Sequence, residues 1–328
     1  MVEGTQSRPA PFDQGDRRAS RVPAAQPSGL DPARPYLVLS PQSSVLRSRA
    51  VELLRRNRAA MIGLVVLIVV AAAAAAAPLI APYEPTLQET GQSLKPGFWA
   101  GNERNLLGTD LQGRDILSRL IYGARISVAV GLTAVAISAL IGVLAGLVAG
   151  FYAGRVGDGI MRVADIQLSF PAILLALALV GILGPSAFNV VLVLGVTGWV
   201  VYARVVSGRV LSVKETEFIA AAHAIGARDP RIIFRHVLPN VMTPVIVLAT
   251  LEVATVIIAE ATLSFLGVGI QPPTPTWGGM LADGKVYLRN AWWVSTIPGV
   301  TITVVVLSIN LLGDWLRDTL DPRFRLAS

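Results

Sequence analysis

The stretch Lys214–Asn240, KETEFIAAAHAIGARDPRIIFRHVLPN, lies between two strongly apolar segments in the second half of the chain. Its first part predicts a short helix. Ser212 and Glu215 have the spacing of a capping box, in which each side chain satisfies a free backbone N–H at a helix start. Apolar residues then recur at the spacing of one helical face; they are Phe218, Ala221, Ala222 and Ile225.

The second part of the stretch predicts a sharp break and a second short helix. Gly226 stands where the first helix should end, because glycine adopts the left-handed conformation there without strain. Asp229 and Pro230 suit a new helix start, since aspartate accepts a free N–H and proline fits the first turn. Pro239 is predicted to close the second helix. A rigid helix–glycine–helix element of this kind suits docking onto a partner.

This pattern resembles the EAA loop, the docking loop of permease subunits in ATP-binding-cassette importers. In that family a Glu-Ala-Ala helix, a glycine four residues after the second alanine and a downstream Leu-Pro bind a groove of the ATPase. The matching positions are Ala221, Ala222, Gly226, Leu238 and Pro239. Two positions depart from the pattern, because Ala220 stands in place of glutamate and His236 in place of isoleucine.

The departures are similar to the variant found in the di- and oligopeptide and nickel branch of the family. In that variant Glu217 would supply the acidic group from one turn earlier. The resemblance implies that the ATPase contacts Glu217, Ala221, Ala222, Gly226, Asp229, Pro230, Arg235, His236, Leu238 and Pro239. An ordinary cytosolic hairpin is the alternative interpretation.

The composition indicates a membrane protein. Hydrophobic residues make up 53% of the chain and charged residues 15%, against about a quarter charged in ordinary globular domains. The absence of cysteine excludes disulfides and thiolate metal sites, and both histidines lie in the docking stretch. We therefore predict no metal site and no catalytic centre. No basic run interleaved with aromatic residues points to nucleic acid.

Six apolar segments are long enough to cross the hydrocarbon core, which takes about 20 helical residues. They are predicted at 59–81, 127–151, 166–183, 187–206, 241–268 and 297–315. In the second of them Gly142, Gly146 and Gly150 have the spacing of a close helix-packing face. The sequence therefore predicts an all-α membrane protein, and the resemblance implies the type I importer permease fold.

The chain divides into five predicted regions. Residues 1–50 are predicted as a disordered cytoplasmic tail, 51–81 as the first span and its flank, and 82–126 as an outer loop with a short amphipathic helix. Residues 127–316 form the five-helix core with the docking loop at 212–240, and 317–328 form a second cytoplasmic tail.

Positive charge sets the predicted orientation. Of the 28 arginines and lysines, 21 fall on the side of the docking stretch, and cytoplasmic loops carry such an excess. Without the ten arginines that precede the first predicted span, the ratio is 11 to 7 in the same sense. A multi-pass protein of the plasma or inner membrane is predicted, with both termini in the cytoplasm.

Two carboxylates, Glu252 and Glu260, lie within the fifth predicted span. A carboxylate at membrane depth is costly unless it is paired, hydrated or protonated, and a spacing of eight puts both on roughly one helical face. We predict that they line a translocation path together with Ser264. Hydrogen bonding across a helix interface is the alternative.

Two outer segments resemble those that the family places at the extracellular mouth, near the substrate-binding protein. One reads LGTDLQGRD and the other PPTPTWG. The resemblance implies binding-protein contacts at Asp110, Arg114, Pro273 and Trp277. The residue types alone favour plainer roles, since an Asp/Arg pair in a loop is usually structural and tryptophans near span ends commonly anchor the membrane interface.

The chain carries no Walker A pattern, nucleophile elbow or His-Glu-x-x-His motif, so it is not predicted to be an enzyme. The resemblance implies that ATP and Mg²⁺ bind to partner subunits: one or two ATPase chains, or a fused ATPase. It further implies a second homologous permease subunit, a substrate-binding protein and surrounding lipid. The substrate could be a dipeptide, an oligopeptide, a nickel chelate, haem or glutathione.

Two other classes compete with this hypothesis. A self-contained secondary transporter or channel would need coupling-ion sites, which usually form at broken helices and inverted repeats, and no clear repeat is found. An intramembrane enzyme would need a nucleophile and base pair that the sequence does not show.

Overall fold

The computed structural model describes Leu54 and residues 57–320. The predicted tail at 1–50 and residues 321–328 lie outside this range. In chain order the α-helices are α1 (Arg58–Ala75), α2 (Ala77–Ile80), α3 (Ile116–Tyr152), α4 (Gly154–Leu168), α5 (Ala172–Leu183), α6 (Ala187–Thr197), α7 (Trp199–Lys214), α8 (Glu217–Ala224), α9 (Asp229–Ile232), α10 (Leu238–Phe265), α11 (Trp277–Gly284) and α12 (Trp293–Leu320). A π-helical segment, Ile233–Val237, joins α9 to α10. Within this range the chain forms no β-strand.

Five helical segments are long and apolar enough to cross a membrane: α1, α3, α6 with α7, α9 through α10, and α12. Helices α4 and α5 together make a sixth candidate, bent by 85° at the break between them. The all-α, six-span prediction is confirmed with this pair counted as one span. The sequence predicts one helix over 166–183, but Pro171 ends the run because it lacks an N–H and disfavours helix at the residue before it.

The second span is longer than the sequence analysis predicts. Instead of a separate amphipathic helix in the outer loop, the structure has one helix of 37 residues, α3. Asp115 caps its start, where the carboxylate accepts a hydrogen bond from the backbone N–H of Ser118. No proline interrupts the chain between Ile116 and Tyr152. The predicted boundary at residue 126 is therefore wrong, and the loop predicted to be outer ends at Asp115.

The small residues of α3 let α7 approach closely. A Cβ added at Gly142 would lie 2.3 Å from the carbonyl oxygen of Trp199, and one at Gly146 would lie 2.7 Å from that of Ala203. Gly150 is equally close to α7 two turns after Gly142. Because atoms at these distances would overlap, only glycine fits, and the predicted packing face is confirmed.

The largest buried cluster extends from the spans into the docking stretch. It includes Val135 of α3 and Val206 of α7, and also Ile219, Ala222 and Ile232 of the docking stretch. The docking stretch is therefore not a hairpin attached to the surface. Its interior is continuous with the core that the spanning helices share.

Candidate functional site

The first docking helix ends at a left-handed glycine. Gly226 has a φ of +76°. Its N–H donates to the carbonyl of His223 at 2.9 Å, and the N–H of Ala227 donates to the carbonyl of Ala222 at 3.1 Å. These are the bonds of a helix end that turns through a left-handed residue. The predicted left-handed helix end at Gly226 is confirmed.

The start of the docking stretch differs from the prediction. Helix α7 continues through Lys214, so Ser212 lies inside it, and its hydroxyl donates to the carbonyl of Gly208 at 3.3 Å. The capping box of Ser212 and Glu215 is therefore wrong. The cause is tertiary packing, because the buried face of α7 continues as far as Val213.

The second docking helix also differs from the prediction. Asp229 is its first residue and makes no side-chain cap, whereas Pro230 occupies the first turn as predicted. Pro239 does not close the helix, since it lies in the first turn of α10. The π-helical segment directly before α10 forms a wider turn. Because Pro239 lies at the start of α10, its missing N–H costs no α-helical hydrogen bond.

The outward side of α8 is apolar. Phe218 is 46% exposed and Ile225 is 85% exposed, with Ala221 exposed between them. We name these three residues the apolar stripe. The structure turns these three residues outward and buries Ile219 and Ala222. Large apolar side chains gathered on one exposed helical face mark an interaction surface.

The predicted ATPase contacts divide by exposure. Glu217, Ala221, Gly226, Pro230, Arg235 and Pro239 are exposed, whereas Asp229, His236 and Leu238 are partly buried. Ala222 is only 6% exposed, so it supports α8 from beneath and is not available to a partner. The sequence analysis did not include Ile225 among the predicted contacts, because isoleucine at helical spacing ordinarily indicates core. Its position next to Gly226 was the available signal.

Glu260 lies in the interior, with 0% of its surface exposed. Its Oε1 accepts a hydrogen bond from the Ser264 hydroxyl at 2.8 Å, and Oε2 lies 3.5 Å from Ser127 Oγ of α3. Ser127 Oγ in turn accepts the backbone N–H of Trp277 at 3.3 Å. Glu260 and Ser264 therefore join α10, α3 and α11. This placement fits the interface alternative and leaves neither side chain open to a path in this conformation.

Glu252 is the accessible member of the predicted pair. It lies two turns nearer the docking stretch and is partly exposed. An open groove of about 440 Å³ lies elsewhere, between α10, α11 and α12, and its lining is uncharged. The structure therefore separates the two carboxylates, with Glu260 inside the helix packing and Glu252 on a partly open face of α10.

We expect Glu260→Leu to lower the thermal stability of the detergent-solubilised protein. The Ser264 hydroxyl would lose its acceptor, and an unsatisfied buried polar group costs about 1–3 kcal/mol. Glu260→Gln is the matched control, because it keeps the shape and one acceptor, and it should retain most of the stability. A leucine variant with unchanged melting but lost uptake would instead support a role in the path.

Four charged side chains form a cluster at the start of α3, on the side predicted to be outer; Asp110, Arg114 and Arg119 are buried, and Asp283 is partly exposed. Asp110 accepts hydrogen bonds from Arg114 Nε at 2.6 Å and from Arg119. Asp283 of α11 accepts one from Nη2 of each arginine, both at 3.1 Å. We name these residues the outer ion cluster. It fixes α11 to the loop that precedes α3.

Three of the four predicted binding-protein contacts do not fit the structure. Asp110 is 1%, Arg114 4% and Trp277 1% exposed, so a docked protein could not reach them. The Asp/Arg pair is structural. The indole N–H of Trp277 donates to the carbonyl of Leu120 at 3.0 Å inside the helix packing. Pro273 is exposed and stays a prediction.

Comparison with known proteins identifies the class. Residues 142–326 match the family described as binding-protein-dependent transport system inner membrane component. Residues 46–96 match the N-terminal TM domain of oligopeptide transport permease C. The chain therefore belongs to the family of permease components of binding-protein-dependent importers.

Within that family the chain groups with the di- and oligopeptide permeases. It is 44% identical to the di/tripeptide transport system permease protein DppC of Pseudomonas aeruginosa (strain UCBPP-PA14), over 83% of this chain and 90% of the relative. It is 45% identical to the dipeptide transport system permease protein DppC of Escherichia coli (strain K12), over 83% and 91%. The corresponding protein of Alkalihalophilus pseudofirmus is 39% identical, over 92% and 96%.

A solved structure supports the fold. The helices superpose on a chain of the MetNI methionine ABC transporter in its inward-facing conformation, with a TM-score of 0.51 and 20% identity. The match covers 62% of this chain and 96% of that chain. The type I permease fold is confirmed, and the alternative of a self-contained secondary transporter is not favoured.

Proposed function

We propose that this chain forms one membrane half of an ATP-driven peptide importer. A second, homologous permease subunit supplies the other half as a heterodimer, and the substrate passes between the two. The names of the relatives, which include dipeptide and di/tripeptide permeases, support peptides as the substrate class. Nickel chelates, haem and glutathione are the competing substrates within the same branch.

Separate ATPase chains drive the transport, either two subunits or one fused protein, and they bind ATP and Mg²⁺. The observation that carries this proposal is the apolar stripe on α8. It offers an exposed apolar surface on a helix whose other side belongs to the core of the spans. Movement of a partner bound there would reach the membrane helices directly, because close-packed interiors transmit displacement.

The proposed orientation places the docking stretch and both termini in the cytoplasm, as the excess of arginine and lysine favours. The outer ion cluster and the exposed loop at Pro273 then face the opposite compartment. A substrate-binding protein would deliver the peptide on that side, and Pro273 is the proposed contact that the structure leaves exposed.

We expect Ile225→Asp to reduce the amount of ATPase that co-purifies with the permease and the ATP-dependent uptake of a labelled dipeptide. A central apolar contact contributes about 2 kcal/mol or more, so the affinity should fall about 30-fold. Uptake of labelled haem, measured in the same reconstituted vesicles, distinguishes haem from peptide as the transported substrate.

Ser212→Asp is the matched control, because it adds the same charge at an exposed position before α8 and should leave co-purification unchanged. Equal retention of the ATPase by both variants would show that the apolar stripe is not the docking surface. Dipeptide uptake by the permease without any ATPase would contradict the proposed function itself.

A further inference from the structure

Phe151, the second-last residue of α3, is contacted by two residues of the docking region. Its side chain is buried, and its ring stacks on the imidazole of His223, with centroids 6.4 Å apart and planes inclined by 16°. The Nζ of Lys214 lies 5.5 Å from the centre of the same ring. That amine also donates a hydrogen bond to the carbonyl oxygen of Phe151 at 2.7 Å.

Each of these contacts has a local cause. The carbonyls in the last turn of a helix lack partners within the helix, and a lysine amine satisfies them and favours the negative end of the helix dipole. Lys214 is the last residue of α7 and reaches the end of α3 from there. His223 Nδ1 lies 3.0 Å from the carbonyl oxygen of Ile219, one turn earlier, which fixes the orientation of the ring.

The contact between His223 and Phe151 lies between the apolar stripe of α8 and helix α3. Helix α8 turns the apolar stripe outward, and on its other side Ile219 and Ala222 share a buried cluster with Phe151. His223 extends this inner side with an aromatic contact. A displacement of α8 toward α3 would therefore reach the end of α3 through the Phe151 ring.

We infer that the stacking of His223 on Phe151 transmits movement of α8 to α3, and that Lys214 holds the end of α3 in place for it. We name Phe151, Lys214 and His223 the aromatic joint. The inference rests on the proposed function and adds a division of labour to it. The apolar stripe binds the ATPase, whereas the aromatic joint converts the movement of the bound ATPase into movement of a span.

The test compares two quantities in reconstituted complexes: the ATPase that co-purifies, and the peptide transported per ATP hydrolysed. His223→Ala removes the ring that stacks on Phe151. Because His223 is an exposed residue, the variant should still fold. We expect the transport ratio to fall about five- to tenfold, the lower end of typical coupling effects, while co-purification stays at the wild-type level. His223→Phe keeps a ring at this position and should keep most of the ratio.

Three results would overturn the inference. The alanine variant could retain the wild-type transport ratio, or it could lose ATPase in proportion to uptake, which would make His223 a docking contact. The phenylalanine variant could also be as poor as the alanine variant, in which case ring stacking is not what matters. Failure of the proposed function is distinguishable, because the wild-type complex would then show no ATP-dependent uptake at all.

Discussion

Replacing Gly226 with valine is expected to abolish coupled uptake while the permease still inserts into the membrane. The φ of +76° at this position lies in the left-handed region, which costs an ordinary residue about 1–2 kcal/mol and a β-branched one more. Among the described residues other than its two chain neighbours, no heavy atom lies within 4 Å of an added Cβ, so the effect arises from the backbone and not from crowding. The turn would change conformation and displace the neighbouring Ile225.

Uptake of labelled peptide and ATPase activity, measured together in vesicles, check this expectation. Gly226→Asn is the first control, because asparagine tolerates the left-handed conformation better than other residues and should keep partial coupling. Gly159→Val is the second, since Gly159 lies in α4 with equally open surroundings and no positive φ. Normal coupling in Gly226→Val would mean that this turn does not shape the docking surface.

Asp110→Ala is expected to cause the largest loss of stability. The substitution would leave Arg114 and Arg119 buried with Asp283 as their one remaining carboxylate partner. Removing one partner of a buried ion pair costs about 3–5 kcal/mol. The backbone N–H groups of Gln112 and Arg114 would also lose their acceptor, which each now contacts at 2.9 Å. Most of the stability of a typical domain, about 5–15 kcal/mol, would be at risk.

The yield and melting temperature of the detergent-solubilised protein measure this effect. Asp158→Ala is the matched control, because Asp158 is exposed on α4 and surface substitutions usually stay within about 0.5 kcal/mol. The melting temperature of Asp283→Ala should lie between those of the Asp110 and Asp158 variants. The Asp283 side chain is 32% exposed, so water can partly replace its carboxylate. Equal melting of the Asp110 and Asp158 variants would show that the outer ion cluster does not stabilise the fold.

The fold could be predicted because its determinants are local in sequence. Apolar length indicates each span, and the glycines at 142, 146 and 150 mark a packing face without knowledge of the partner helix. The helix boundaries that the sequence predicted wrongly depend on tertiary contacts. Ser212 has the right spacing for a cap, but continued packing of α7 extends the helix past it.

The site could be predicted only in part. Gly226 has one physical explanation at a helix end, so its role follows from the sequence. Burial is harder to infer, because apolar residues at helical spacing indicate either core or a partner surface, and the structure assigns Ile225 to the surface. The bond between Arg114 and Asp283 joins residues 169 positions apart, and no pattern in a single sequence pairs them.

Helix α3 has 37 residues, which at about 1.5 Å each gives a rod about 55 Å long, whereas the hydrocarbon core is about 30 Å thick. Arg119, near the start of α3, donates a hydrogen bond to Asp110 and holds that end of the helix in place, whereas Phe151 lies near the other end. A tilt of about 5° around the outer end would sweep Phe151 sideways by about 5 Å. The end of α3 next to the docking stretch can thus move by several ångströms while the end held by Arg119 stays in place.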